Sequence, residues 1–348
     1  RVTDVRNGGK FANSRFRQFY NGKPLMAPIP RVTFVHPVER TLPQMLKSAS
    51  PEYSASLFGK EDWRPNPRKQ GYDFYVHNLP VNRDQEDPGD IFAISRQAMQ
   101  FMENQVSADR PFFTLLAHYA PKLPFPYVAT QESIDFFEGV PPGERHDNLE
   151  YAALTKDIDH SIGMVLDKIR ALGIEDNTYV IFASDHGAAT GVTGELANAP
   201  LTGGKGTLFE GALRIPLIIR GPGVAAGASS RVPVLLTDLY PTLYDLAGGK
   251  KKLPSQIEGT SIAPVLKNNG EIPGERTALV RAHAPAGELF FHSPHYGPEL
   301  ATGRIKPASA IIRGDFKLIR NYGENGAPDE DLLFPLANRP EETNDVAS

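Results

Sequence analysis

An aspartate next to a histidine, Asp185-His186, and three lysines at glycine or proline turns, Lys60, Lys122 and Lys205, stand out for the chemistry their types and settings allow. A carboxylate and a neutral imidazole together offer oxygen and nitrogen to a divalent cation; the alternative is a solvated turn. Lys205 lies in Gly203-Gly204-Lys205-Gly206-Thr207, where small neighbours let a backbone approach a ligand closely. The alternative there is a flexible surface loop. Lys60 and Lys122 can meet the oxygens of an anion, although either one taken alone reads as a solvated surface charge. His118, four residues before Lys122, and His160 read as hydrogen-bonded packing histidines.

These residues gain weight from the elements that lead into them. Thr41 to Leu46 has the pattern of a capped helix with Pro43 in its first turn, followed by a strand over Tyr53 to Phe58 that stops at Gly59-Lys60. Ile91, Ile94, Ala98 and Phe101 recur at helical spacing and lead into an apolar run, Phe112 to Ala117, which reads as a buried strand. The prolines of Ala120-Pro121-Lys122-Leu123-Pro124 end it. Leu154, Ile158, Ile162, Val165 and Ile169 line one face of a long helix with Gly173 as its stop. The strand Tyr179 to Ala183 then ends at Ser184-Asp185-His186-Gly187. A further strand is expected over Ile215 to Arg220, and a helix over Thr237 to Ala247 with Thr237 or Asp238 as N-cap.

Strands alternating with helices imply an α/β fold, a mainly parallel sheet flanked by helices. Lys60, Lys122 and the Asp185-His186 pair all follow the carboxyl ends of such strands, the edge where open parallel sheets bind ligands. Past Pro264 the pattern changes. Ala310 to Ile312, Lys317 to Ile319 and Leu332 to Phe334 suggest a smaller antiparallel sheet, so the expected division is an α/β domain over 1–268 and a C-terminal subdomain over 269–348. The amino end is polar and rich in turn formers, with Val32 to Val35 as its one short apolar stretch.

Composition narrows the function classes. Among 348 residues, 37 basic and 41 acidic side chains leave a formal charge of −4, which argues against a nucleic-acid partner. No apolar run reaches the roughly 18 residues of a bilayer span. With no cysteine, thiolate metal sites, disulfides and a cysteine nucleophile are excluded within these residues. Two nucleotide-like patterns fail: Lys205 is followed by Gly206 rather than Ser or Thr, and Gly221-Pro222-Gly223 leads into no helical face.

Taken in order, these segments resemble the sulfatases of the alkaline phosphatase superfamily. The matching stretches are Thr41 to Lys47, Phe58-Gly59-Lys60, Ala120 to Pro124, Phe182 to Gly187, and Gly204 to Gly211 with Arg214-Ile215-Pro216; Asp238 to Leu243 and Leu336 to Asn344 also fit. The resemblance implies an alkaline-phosphatase-like fold and a hydrolase of sulfate esters acting on a sulfated small molecule or carbohydrate. It implies that Asp185 and His186 ligate a divalent cation, calcium in the family, and that Lys60 and Lys205 contact the sulfate. Lys122 stands where the family commonly has histidine, as a further sulfate contact, and Asp62 stands near the place of a second histidine.

The family's Asp-Asp pair and its Cys-or-Ser-x-Pro-x-Arg motif, the source of the formylglycine nucleophile, do not occur in these residues. The resemblance therefore implies a chain that lacks the family's first portion and is inactive as given. Two other readings stay open: a phosphate-ester or phosphonate hydrolase of the same superfamily, and a noncatalytic protein that binds sulfated glycans. His292, His295, Tyr296 and Tyr322 are candidates for a sugar-binding rim. Members of the family are often exported to the periplasm or beyond, which these residues themselves do not show.

Overall fold

The computed structural model describes residues 19–20, 23–24, 39–60, 66–76, 87–121, 129–145, 147–190, 197–274, 278–281, 283–294, 299–300, 303–323, 327–337 and 339–347. Lys122, Asp62, His295, Tyr296 and the stretch Val32 to Val35 lie outside the described residues. The chain divides into two units. The first comprises residues 1–142, 148–175 and 247–249, and the second 143–147, 176–246 and 250–348.

The first unit opens with a small hairpin of β1 (Phe19–Tyr20) and β2 (Lys23–Pro24). Helix α1 (Leu42–Ala49) starts as the sequence implies, with Pro43 in its first turn. The Thr41 amide donates to Gln44 Oε1 at 3.0 Å, while its hydroxyl donates to the Gln70 carbonyl and ties the helix to the turn Pro67–Gln70. Strand β3 (Ser54–Gly59) is buried along its whole length and runs parallel to β4 (Phe74–Val76) and β5 (Phe112–Ala117), in the order β4-β3-β5.

Helix α2 (Ile91–Ser107) covers this sheet because its apolar positions fall on one side. Ile94, Ala98 and Phe101 pack with Phe58, and the Phe101 ring meets Phe58, Phe74 and Phe112 edge-on at 6.1, 5.3 and 6.1 Å. The Asp87 carboxylate caps the helix by accepting from the Phe92 and Ala93 amides. Helix α4 (Leu149–Ala171), capped by Asn148, buries Leu154, Val165 and Ile169 and joins α2 through the Ser95 and Ser161 hydroxyls, 2.6 Å apart. The buried carboxylate of Asp157 accepts from Thr130 and Ser133 and so seats α3 (Gln131–Glu138) on α4.

β5 differs from the expectation of a buried strand: its residues are half-buried and Leu115 is 41 % exposed. It pairs only with β3 among the described residues, so one of its edges carries no described neighbour.

The second unit begins with β6 (Val180–Ala183), which pairs with β7 (Leu217–Arg220) in antiparallel register, Val180 opposite Arg220 and Ala183 opposite Leu217. This pair is antiparallel, whereas β4-β3-β5 of the first unit is parallel. Among the described residues of the connection between β6 and β7, Glu210–Leu213 makes one helical turn and Thr202 to Thr207 is a glycine-containing loop. The expected helix over Thr237 to Ala247 is present as Leu239–Leu246, entered by a tight turn at Leu236–Asp238.

Next come β8 (Leu289–Ser293), the short pair β9 (Glu299–Leu300) and β10 (Gly303–Arg304), and then β11 (Ala308–Arg313), β12 (Phe316–Asn321) and β13 (Glu330–Pro335). β13, β12, β11 and β8 form the antiparallel sheet expected near the carboxyl end. Its inner face buries Ala308, Ala310, Ile319 and Phe334 against Leu208 and Phe209 of the loop that precedes Glu210–Leu213. No helix among the described residues is long and apolar enough to cross a membrane.

One detail fixes where Lys60 starts. Gly59 has φ +99°, and a Cβ there would lie 2.1 Å from the Ala117 carbonyl oxygen, the same oxygen that accepts from the Lys60 amide at 2.7 Å. Gly59→Ala should therefore destabilise the protein by about 2–4 kcal/mol, combining left-handed strain with overpacking. Urea unfolding reads this as a lowered midpoint; an unchanged midpoint would contradict the close approach.

Candidate functional site

In the second unit, β6 delivers Asp185 and His186 to a turn that three hydrogen bonds hold. Ser184 Oγ donates to the His186 carbonyl at 2.7 Å, the Ser184 amide extends the β6–β7 ladder to Pro216, and the Gly187 amide donates to the Ala212 carbonyl at 3.1 Å. The Asp185 side chain is 66 % exposed and that of His186 31 % exposed, with Asp185 Oδ2 3.4 Å from His186 Nε2. His186 Nδ1 lies 2.8 Å from the Gly187 carbonyl oxygen. A carbonyl only accepts, so Nδ1 carries the proton and Nε2 is the ring nitrogen that faces the carboxylate.

The Lys205 loop packs directly on this turn. The Lys205 amide donates to the Ala188 carbonyl at 3.0 Å. Asn198 stitches the two together: it accepts from the Ala188 amide at 2.8 Å, and its Nδ2 donates to the Ala188 and Gly203 carbonyls, both at 3.0 Å. The turn from Gly204 to Thr207 closes on itself, with Thr207 Oγ1 donating to the Gly204 carbonyl at 2.8 Å. Gly206, at φ +97°, lets the chain pass against Ile305. Asp185, His186 and Lys205, three residues the sequence singled out, are thus brought together by one set of backbone contacts. Asn198 was not among the candidates; its one visible signal is its place five residues before the Gly203-Gly204-Lys205-Gly206 run.

Asp185 and His186 supply one carboxylate and one imidazole. No group of three or more His, Cys, Asp or Glu that could hold a metal occurs among the described residues. The donor chemistry of the pair still fits a cation. An imidazole fixed through Nδ1 to a carbonyl is the usual way a ligating histidine is oriented.

Lys60 belongs to the first unit, where it begins at the paired carboxyl ends of β3 and β5. His118 follows β5 there. Contrary to the hydrogen-bonded packing role expected for it, neither ring nitrogen has a hydrogen-bond partner among the described residues, and burial lowers its pKa to about 4. The adjoining Ala117 carbonyl is taken by the Lys60 amide. His160 is not a core residue: it is exposed on α4 and meets the Phe92 ring edge-on at 5.3 Å.

In the second unit, two of the rim candidates are linked on the outer face of the C-terminal sheet. His292 Nδ1 and the Tyr322 hydroxyl each lie 2.7 Å from Ser309 Oγ, and the His292 and Tyr322 rings are 6.2 Å apart at their centroids.

A parallel sheet with loops at its strand ends and an antiparallel sheet at the carboxyl end match the alkaline-phosphatase-like fold expected from the sequence. The solved structures agree: the crystal structure of Ps i-CgsB has a TM-score of 0.71 at 24% identity, covering 90% of this chain and 71% of that one. A structure solved in complex with its substrate D-glucosamine-2-N,6-O-disulfate has a TM-score of 0.69 at 20% identity, covering 90% of this chain and 78% of that one. The sulfatase family model matches residues 12–249, and the chain belongs to the sulfatase family. An N-acetylgalactosamine-6-sulfatase of Mus musculus is 31% identical over 302 residues, 75% of this chain and 54% of the mouse enzyme. The chain spans about half the length of that curated relative and 36% of a Formosa agariphila sulfatase.

The lowered pKa of His118 has a consequence for stability. Its ordinary value of 6.5 applies to the unfolded chain and about 4 to the folded one, so between these values the unfolded state binds more protons and stability falls as pH falls. At pH 4.5 the loss is roughly 2–3 kcal/mol relative to pH 7. Chemical unfolding at both pH values should show this part of the acid sensitivity disappearing in His118→Gln. An identical acid loss in the variant would contradict the buried neutral imidazole.

Proposed function

We propose that the complete protein hydrolyses sulfate esters of a carbohydrate, with Lys205 binding the sulfate and Asp185 and His186 holding part of a divalent cation, calcium by family resemblance. The observation that carries this reading is the seating of the Lys205 loop on the Asp185-His186 turn through Ala188 and Asn198. It holds the backbone of Lys205, whose side chain is exposed, on a loop that packs against the turn carrying the carboxylate–imidazole pair.

Transfer of a sulfuryl group builds negative charge on the ester and sulfate oxygens. Charges and dipoles held in place beforehand stabilise it better than water does, because they need no reorganisation as the charge develops. The glycine turn gives Lys205 that preorganisation: the loop is closed by Thr207 and locked by Asn198 before any ligand arrives. His186, oriented through Nδ1, keeps Nε2 directed at Asp185, so the two donors share one place. When bound, a divalent cation there would act as a Lewis acid toward the sulfate oxygens, and the family's formylglycine would supply the nucleophile from polypeptide outside these 348 residues.

Family resemblance, rather than geometry, assigns Lys60 and Lys122 as further sulfate contacts. The linked His292, Ser309 and Tyr322 are assigned as a rim for the sugar, since ring faces and hydroxyl partners suit a carbohydrate.

A chromogenic aryl sulfate and its matched aryl phosphate, offered to the complete protein, test this. Sulfate is expected to be the preferred ester, and Lys205→Ala to lower kcat/KM about 10²–10³-fold, the usual loss of one oxyanion donor. A strong preference for the phosphate would favour a phosphohydrolase. Salt-sensitive binding of sulfated polymer with no turnover over long incubation would favour a noncatalytic binder.

A further inference from the structure

The Lys205 loop is held at both ends by a second set of contacts, and none of them is called for by the chemistry above. Lys317, on the inner face of β12, has a fully buried ammonium 3.0 Å from Glu210 Oε1 and 2.8 Å from Glu342 Oε1, with the Glu210 side chain 4 % exposed and that of Glu342 fully buried. The other oxygen of Glu342 accepts from the Glu210 backbone amide, and the other oxygen of Glu210 accepts from Arg214 Nε at 2.8 Å. One residue earlier in the tail, the Glu341 carbonyl accepts from the Thr202 hydroxyl. Thr202 in turn accepts from the Gly211 amide at 2.8 Å, which closes the loop's base. The tail at Glu341-Glu342 therefore grips the loop at its entrance, Thr202, and at its exit, Glu210, with Lys205 between them.

We infer that Lys317, Glu342 and Glu210 are positioning residues for Lys205: a buried charge clamp, supplied by the C-terminal sheet and tail, sets the loop in the geometry that presents the lysine to sulfate. This rests on the assignment of Lys205 to sulfate binding. Two carboxylates against Lys317 and Arg214 balance in charge, and a buried carboxylate holds its place only with such partners. Burial raises the Glu342 pKa, and Lys317 and the Glu210 amide oppose that shift by favouring the charged carboxylate. The same strand that carries Lys317 also carries Ile319, which packs with Leu208 on the loop's exit. Apolar packing fixes the distance between sheet and loop; the charges fix the loop's register against the tail.

The test compares Glu342→Gln with Asp238→Asn in the complete protein. Asp238 is an equally buried carboxylate of the second unit, ion-paired to Arg281 at 2.6 Å, and its carboxylate bonds among the described residues go to Leu235, Thr260 and Arg281. Amide hydrogen exchange is read at Lys205 and Gly211 against the β6–β7 ladder, and calorimetry reads binding of N-acetylgalactosamine 6-sulfate. In Glu342→Gln, exchange at Lys205 and Gly211 is expected to rise at least tenfold relative to the ladder, with at least fivefold weaker binding. Asp238→Asn is expected to lower overall stability while leaving both ratios as in the wild type. Unchanged exchange at the two loop amides in Glu342→Gln, or a rise matched by Asp238→Asn, overturns the clamp. Faster loop exchange with undiminished binding, where Lys205→Ala does weaken it, overturns the positioning role. If Lys205→Ala leaves binding intact while Glu342→Gln still loosens the loop, the clamp on the loop stands and the assignment of Lys205 to sulfate falls.

Discussion

The absence of three Cβ atoms is the constraint on which the site depends. At Gly187 an added Cβ would lie 1.7 Å from the Gly211 carbonyl oxygen, at Gly204 it would lie 2.3 Å from that of Ala188, and at Gly211 2.4 Å from that of Gly203. Three stretches of backbone are stacked at distances that no side chain permits. The turn after β6, the Lys205 loop and the start of the Glu210–Leu213 helical turn therefore form one rigid body. Chemistry-bearing side chains project from a platform of closely stacked main chain, stitched by Asn198, Ser184 and Thr207.

A platform of this kind has little apolar surface of its own, so its anchorage comes from elsewhere. Leu208 and Phe209 sink into the inner face of the C-terminal sheet, with the Phe209 and Phe334 rings edge-on at 6.1 Å. Burying side chains of this size contributes roughly 1.5–3 kcal/mol each. The buried ion cluster adds direction more than stability: desolvation cancels much of its attraction, whereas removing one partner would strand the others at a penalty of about 3–5 kcal/mol. Asp238 and Arg281 repeat this logic in the same unit, with the carboxylate also accepting from the Leu235 and Thr260 amides. Charge in this core serves to specify which backbone segments meet.

Much of this could be read from the sequence because strand ends and glycine runs are local signals. Asp185-His186 follows a short β-forming run and Lys205 lies among glycines, so each could be singled out without knowing its neighbours. The helices α2 and α4 were legible for the same reason, their buried positions recurring every three or four residues. The antiparallel direction of β7 was not, because the alternation of elements does not fix which way a strand runs after a long connection. The roles of Lys317 and Glu342 were not legible either. Their partner Glu210 lies 107 and 132 residues away, and nothing local marks either charge as buried. Asp238 was read as a helix cap; its carboxylate does serve the turn before the helix, but its main partner, Arg281, is 43 residues on.

The central claim is that Lys205 and the Asp185-His186 turn address a single oxyanion. Anomalous diffraction from crystals of the complete protein soaked in selenate, a heavier analogue of sulfate, tests it most directly. A selenium peak within hydrogen-bonding reach of Lys205 Nζ, on the side of the loop that faces Asp185 and His186, is the predicted result. A selenate bound only elsewhere, with the Lys205 side chain turned away from the Asp185-His186 turn, would contradict it.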